Sequence, residues 1–184
     1  MTLTEIIKRD DVFDEQTLCF QTTPLAKIWV LSLLTFGFYD LFLVYSYWKT
    51  LREKFGHKVS PLWRAIFLTI MNFSLFPTLK KYFEHYGVKC TSGVLLAFSY
   101  LFWCGVQNGL SRISEKTDGL NIAVEIISLI ACIFSTFIIV SIQKNINKIN
   151  QEKFPNAPQN NWKISNTIWT VILAILIVLA YLPA

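Results

Sequence analysis

Four stretches of this chain, 25–48, 93–110, 120–142 and 165–182, are apolar over a length close to the roughly 20 residues that a helix needs to cross a bilayer core. Backbone amides have no water to bond in lipid, so each run is expected to close its hydrogen bonds within itself, as a helix. The expected fold is an all-α integral membrane protein with four transmembrane helices. Composition agrees, with 53% hydrophobic and only 16% charged residues, against about 25% charged in soluble domains. The first 25 residues hold no continuous apolar core ending in a small-residue cleavage site, so the first run is expected to act as an uncleaved anchor. Residues 1–24 then form an acidic tail, and 25–184 a single helical membrane domain.

A fifth stretch, "SPLWRAIFLTIMNFSLFPTLKKY" at 60–82, is apolar but carries Arg64, Asn72 and Pro77 and ends in Lys80 and Lys81. If it crossed the membrane, the loop with Lys49, Arg52, Lys54 and Lys58 would face away from the loop with Lys80, Lys81 and Lys89. Lysine and arginine in short loops are retained on the cytoplasmic side, so this threading sets basic loops against the rule. If 61–79 is instead an amphipathic interfacial or re-entrant helix, residues 49–92 join into one cytoplasmic region with eight basic residues and two acids. Lys144, Lys148, Lys153 and Lys163 fall on the same side. The acidic tail (Glu5, Asp10, Asp11, Asp14, Glu15) and both termini then face the periplasm. Arginine at the bilayer centre costs about 2.5 to 3.5 kcal/mol on insertion scales, which also favours an interfacial place for Arg64. Pro61 suits a helix start, and Pro77 is expected to interrupt the far end.

Aromatic residues mark the same interfaces. Tyr45, Tyr47 and Trp48 stand directly before a basic run, Trp63 and Tyr82 bracket the fifth stretch, and Trp162 precedes the last apolar run. Beyond the third run, "IVSIQKNINKINQE" keeps Ile142, Ile146 and Ile149 at helical spacing, an apolar stripe for the fifth stretch or for lipid. "LTFGFYDLFLVYSYWKTLREKFG" followed by "SPLWRAIF" resembles a group of small bacterial membrane proteins. In that group an aromatic first span ends in a basic Tyr- and Trp-bearing segment, followed by a Ser-Pro-aromatic-Trp-Arg-Ala-Ile-Phe block. Here Leu62 stands where an aromatic is common. The resemblance implies helical spans in a bacterial inner membrane and brings no activity with it.

Asp40 and Glu125 are the acids inside the apolar runs, and an ionisable group at membrane depth is a functional candidate by default. Together they suggest a proton or cation relay. The plainer reading pairs Asp40 with Arg64 beneath the headgroups and leaves Glu125 wet at the other face. Gln107 and Asn108 lie beside Gly105 and Gly109, whose spacing permits close helix packing. His57 and His85 have neither an HExxH context nor an acid cluster, and no G-x-S-x-G elbow or Gly-rich phosphate loop occurs. Cys19, Cys90, Cys104 and Cys132 lack CxxC spacing. No catalytic residue, cofactor or metal site is therefore expected. The formal charge of +5 is assigned to orientation and anionic headgroups rather than nucleic acid.

The functional expectation is a non-enzymatic inner-membrane protein that self-assembles, or meets a membrane or cytoplasmic protein partner or anionic lipid. Its working face is basic: Lys49, Arg52, Lys54, Lys58, Lys80, Lys81, Lys144 and Lys148. Envelope sensing and defence or accessory roles are fitting settings. The alternative is a small oligomeric transporter, channel or lipid-handling protein that uses Asp40 and Glu125.

Overall fold

The computed structural model describes residues 19–114, 122–165, 167–168, 171–172 and 175. Six helices form its framework: α1 Leu25–Leu34, α2 Phe38–Glu53, α3 Pro61–Ile66, α4 Leu68–His85, α5 Gly93–Ser114 and α6 Ile122–Lys153. Among the described residues there is no strand, only an isolated parallel bridge between Thr22 and Gln159. Two of the helices, α5 and α6, are long and apolar enough to cross a membrane. The expected fourth span, 165–182, lies largely outside the described residues.

The first apolar run is not one helix, contrary to expectation. Phe36 and Gly37 both take positive φ, 48° and 89°, a conformation that glycine adopts without steric cost and that ends helices. Gly37 N–H reaches back to Ser32 O at 2.8 Å. Thr35 serves both sides of the break: its hydroxyl donates to Leu31 O at 2.7 Å and accepts from Tyr39 N–H at 3.0 Å. The chain then doubles back. Ser32 meets Asp40 near the tip, whereas Gln21 meets Ser46 and Cys19 meets Lys54 at the open end. A ten-residue helix such as α1 extends only about 15 Å, half of a hydrocarbon core. Residues 19–23 and the connection after α2 therefore lie at the same end of the molecule, not on opposite sides of a span. Residues 1–18 of the expected tail lie outside the described residues.

The fifth stretch is also a bent pair. Pro61 occupies the first turn of α3 as its fixed φ favours, and the chain turns at Phe67 (φ −90°, ψ 35°) into α4. Neither glycine nor proline marks this bend. Contacts hold it: Trp63 stacks on Phe67, and Arg64 reaches across to Ser74. Pro77 does not interrupt α4, which runs on to His85. The backbone around Pro77 is instead where α5 comes closest, since a Cβ on Gly93 would lie 2.6 Å from Pro77 N and 2.7 Å from the Phe76 carbonyl carbon. Helices α4, α5 and α6 follow one another antiparallel, as Phe73–Phe98 and Trp103–Phe134 ring contacts record.

The core is aromatic at the end where these segments meet. Phe20 lies within 6.0 Å of the rings of Tyr47, Phe55 and Tyr82, and Tyr86 joins Tyr82 to Phe154. Ile142, Ile146 and Ile149, the expected stripe, are buried in the same core. Outward, Phe38, Phe42, Ile70, Phe98 and Ile122 stay largely exposed, more apolar surface than a water-soluble monomer normally leaves uncovered.

Candidate functional site

Asp40 is the third residue of α2 and is fully buried. The helical break puts it there: Gly37 turns the chain, and the first turn of α2 aims the carboxylate back at α1. Ser32 Oγ donates to Asp40 Oδ1 at 2.6 Å, and Tyr100 of α5 donates to Oδ2 at 3.5 Å. Its place at the start of α2 adds the favourable end of the helix dipole. Among the described residues no lysine or arginine pairs with it, so two hydroxyl groups and a helix start take the place of a counter-ion. Such a carboxyl can take up a proton, or hold a cation together with the two hydroxyl oxygens.

The expected Asp40–Arg64 pair does not form. Arg64 lies over the Trp48 ring, 4.3 Å from its centroid, with Nη1 3.4 Å from Ser74 Oγ. The bend at Phe67 turns α3 toward the middle of α2, whereas Asp40 sits at that helix's far end. Guanidinium groups are weakly hydrated and flat, which suits stacking on a largely buried indole.

Glu125 is not brought to Asp40 either. Asp40 stands near Cys104 and Cys132, and Glu125 lies two turns earlier on α6, about 10 Å along the axis. Gln107 donates to Phe36 O at 3.5 Å, touching the hairpin tip, while Asn108 bonds Cys104 O on its own helix. Among the described residues Gly105 and Gly109 do not serve close packing, because a Cβ on either would meet nothing within 4 Å. Gly93 has that role instead.

The basic residues gather at the opposite end from the hairpin tip. Lys54 donates to Cys19 O at 3.1 Å, and Lys49, Lys80 and Lys148 form i,i+4 pairs with Glu53, Glu84 and Glu152. Arg52, Lys58, Lys81 and Lys144 are exposed. Burial, and after it the Arg64 charge, hold the imidazole of His57 below its ordinary pKa, and its buried Nε2 has no hydrogen-bond partner among the described residues. Among the described residues no three His, Cys, Asp or Glu side chains gather as a metal site.

A polar ladder on α6 escapes the sequence reading. Gln143, Asn147 and Asn150, at helical spacing beside the isoleucine stripe, clamp the extended segment 20–23. Gln143 Nε2 donates to Gln21 O, Asn147 both donates to and accepts from the Thr23 backbone, and Asn150 Nδ2 donates to Phe20 O. Tyr47 adds its hydroxyl to Gln143 at 2.7 Å. On the other side Thr22 is bonded to Pro158 O and Asn160 N–H. Buried Lys27 caps the arrangement through Asn160 Oδ1 at 2.8 Å and two backbone carbonyls. The amides of "IQKNINKIN" were its one visible signal. No known protein family, curated protein or solved structure matches this chain.

Proposed function

We propose that this chain is a non-enzymatic multi-pass protein of the bacterial inner membrane, working through its basic cytoplasmic end by contact with anionic lipid and with a second copy or a protein partner. One observation carries the reading. Three segments rich in lysine and arginine, 49–58, 80–89 and 144–153, converge at one end together with the segment at residue 19, as contacts of Cys19 with Lys54, Phe55 with Tyr82, Cys90 with Asn145, and Tyr86 with Phe154 record. In this reading α5 and α6 cross the bilayer, and the 165–182 stretch crosses after them. The α1–α2 and α3–α4 hairpins enter from the basic side and return to it. Positive connections then share one leaflet, as retention of lysine and arginine requires. The open apolar faces of α5 and α6 are available to lipid or to another copy.

The test is accessibility of engineered cysteines. Lys58→Cys, Lys89→Cys and Lys153→Cys, each in a background without the native cysteines, are probed with a membrane-impermeant maleimide in spheroplasts and in inverted vesicles. All three are expected to react only in inverted vesicles. Labelling of Lys89→Cys from the outer face would overturn the reading.

Burial of Asp40 without a cationic partner favours a second reading, movement of a proton or small cation through an oligomer. It rests on Asp40 alone, since Glu125 stands apart. Proton or sodium flux into reconstituted vesicles that disappears in Asp40→Asn would support it; absence of flux in the wild type would remove it.

A further inference from the structure

A crevice of about 280 Å³ opens at the basic end between the segment entering α5 and the cytoplasmic half of α6. Lys89 and Lys144 stand on its rim with Thr91 and Asn145, and Leu96 and Phe137 belong to its apolar wall. We infer that this crevice binds an anionic phospholipid, its phosphate held between the two lysines and one acyl chain on the apolar wall. The inference deepens the reading of the basic end as a lipid-facing surface, and it rests on that reading.

Charge is the first argument. Lys49, Lys80 and Lys148 are matched by glutamates one turn away, whereas among the described residues neither Lys89 nor Lys144 has an acidic partner. Lys80 and Glu84, whose charges also reach Cys90, neutralise each other at 3.1 Å. The site thus presents two uncompensated positive charges. Its hydroxyl and amide groups supply donors for phosphate oxygens, and the hydrogen bond between Cys90 and Asn145 fixes the rim. The first turn of α5, starting at Gly93, adds the partial positive charge of a helix N-terminus.

The apolar wall selects a lipid over a soluble phosphate. Phe137 is 57% exposed, and Phe134, one turn further from Lys144 on α6, is 46% exposed and continues the apolar surface away from the lysines. A free phosphate would leave this surface bare. An acyl chain covers it while its headgroup stays at the level of the lysines, the arrangement that basic pockets at a cytoplasmic membrane face use for anionic headgroups.

Native mass spectrometry of the full chain in detergent tests the site, with phosphatidylglycerol, phosphatidylcholine of the same acyl chains, and glycerol 3-phosphate as probes. Phosphatidylglycerol is expected to bind about tenfold or more tightly than phosphatidylcholine, from roughly 1 kcal/mol per lysine near the surface. Lys89→Gln with Lys144→Gln is expected to abolish that preference. Both residues are exposed, so folding is preserved, and an unchanged melting temperature verifies it. Lys49→Gln with Lys148→Gln is expected to keep the preference. Equal binding of the two lipids overturns the proposal, as does glycerol 3-phosphate binding as tightly as the lipid. Equal loss in both double variants overturns the crevice while leaving a diffuse basic surface standing. A preference that persists after the cysteine experiment has failed would separate the crevice from the orientation of the chain.

Discussion

Phe55 and Tyr82 hold their rings edge to face at 5.7 Å, although the whole fifth apolar stretch lies between them. The chain that leaves the basic end after α2 therefore returns to that end at the close of α4. Phe20 packs against both rings, so the segment before α1 joins the same junction. A cluster of this kind ties three chain passages together by apolar burial, at about 25 cal/mol for each Å² covered. Its consequence for function is that the basic connections form one surface.

Gly93→Ala is expected to destabilise the fold by about 1 to 3 kcal/mol, because the added methyl meets backbone rather than a yielding side chain. Gly105→Ala and Gly109→Ala meet open space among the described residues and are expected to be neutral or slightly stabilising in the monomer. Thermal unfolding of the three variants in mild detergent checks the contrast, and equal effects would contradict the packing described.

Asp40 and Arg64 occupy separate networks, so their substitutions are expected to add. In a double-mutant cycle of Asp40→Asn and Arg64→Ala the coupling should stay within about 0.5 kcal/mol. Arg64→Ala alone is expected to cost about 1 kcal/mol through its lost stacking on Trp48. A coupling of several kcal/mol would mean that the two charges meet after all.

The strap at 20–23 depends on the α6 amides. Asn150→Ala leaves Phe20 O without its donor and removes the bond to Thr22 Oγ1, at an expected cost of about 1 to 3 kcal/mol for buried groups. Faster proteolysis near residue 20 in Asn150→Ala, with Asn108→Ala unchanged, is the measurable outcome.

His57 should make stability fall with acid. Its folded-state pKa lies below the ordinary value because burial disfavours the charged ring and Arg64 repels it. The unfolded chain then binds the proton more readily, so stability is complete above the ordinary histidine range and declines as pH drops through it. His57→Gln is expected to flatten that acid limb in unfolding curves measured from pH 8 to 5. An unaltered limb would assign the acid sensitivity to other groups.

Much of the fold is legible from pattern. The apolar runs at 93–110 and 120–142 become α5 and α6, because long uncharged periodic stretches have few alternatives to a helix. The isoleucines at 142, 146 and 149 are buried as their spacing predicts. The first run is read wrongly where a local signal is overruled. "TFG" at 35–37 sits within continuous apolar sequence, and hydrophobicity does not distinguish a span from two half-length helices folded on each other. Pro77 misleads in the opposite sense: its ring and missing amide predict an interruption, yet α4 continues past it because proline removes one hydrogen bond without removing the packing around it.

The candidate site is legible by residue and not by partnership. Asp40 stands out in the sequence as an acid among apolar neighbours, and so does Arg64 as a base. Pairing them follows from charge alone, since opposite charges attract whatever the fold. The sequence by itself determines an all-helical chain with a surplus of positive charge in a few connections, because those properties depend on residue type and spacing. Only the tertiary structure decides that Asp40 takes Ser32 and Tyr100, that Arg64 takes Trp48, and that Gly93 rather than Gly105 admits a neighbouring helix. Each of these depends on where two distant backbones approach within a few ångströms, and that distance is fixed by the sum of all the packing rather than by any local run of residues.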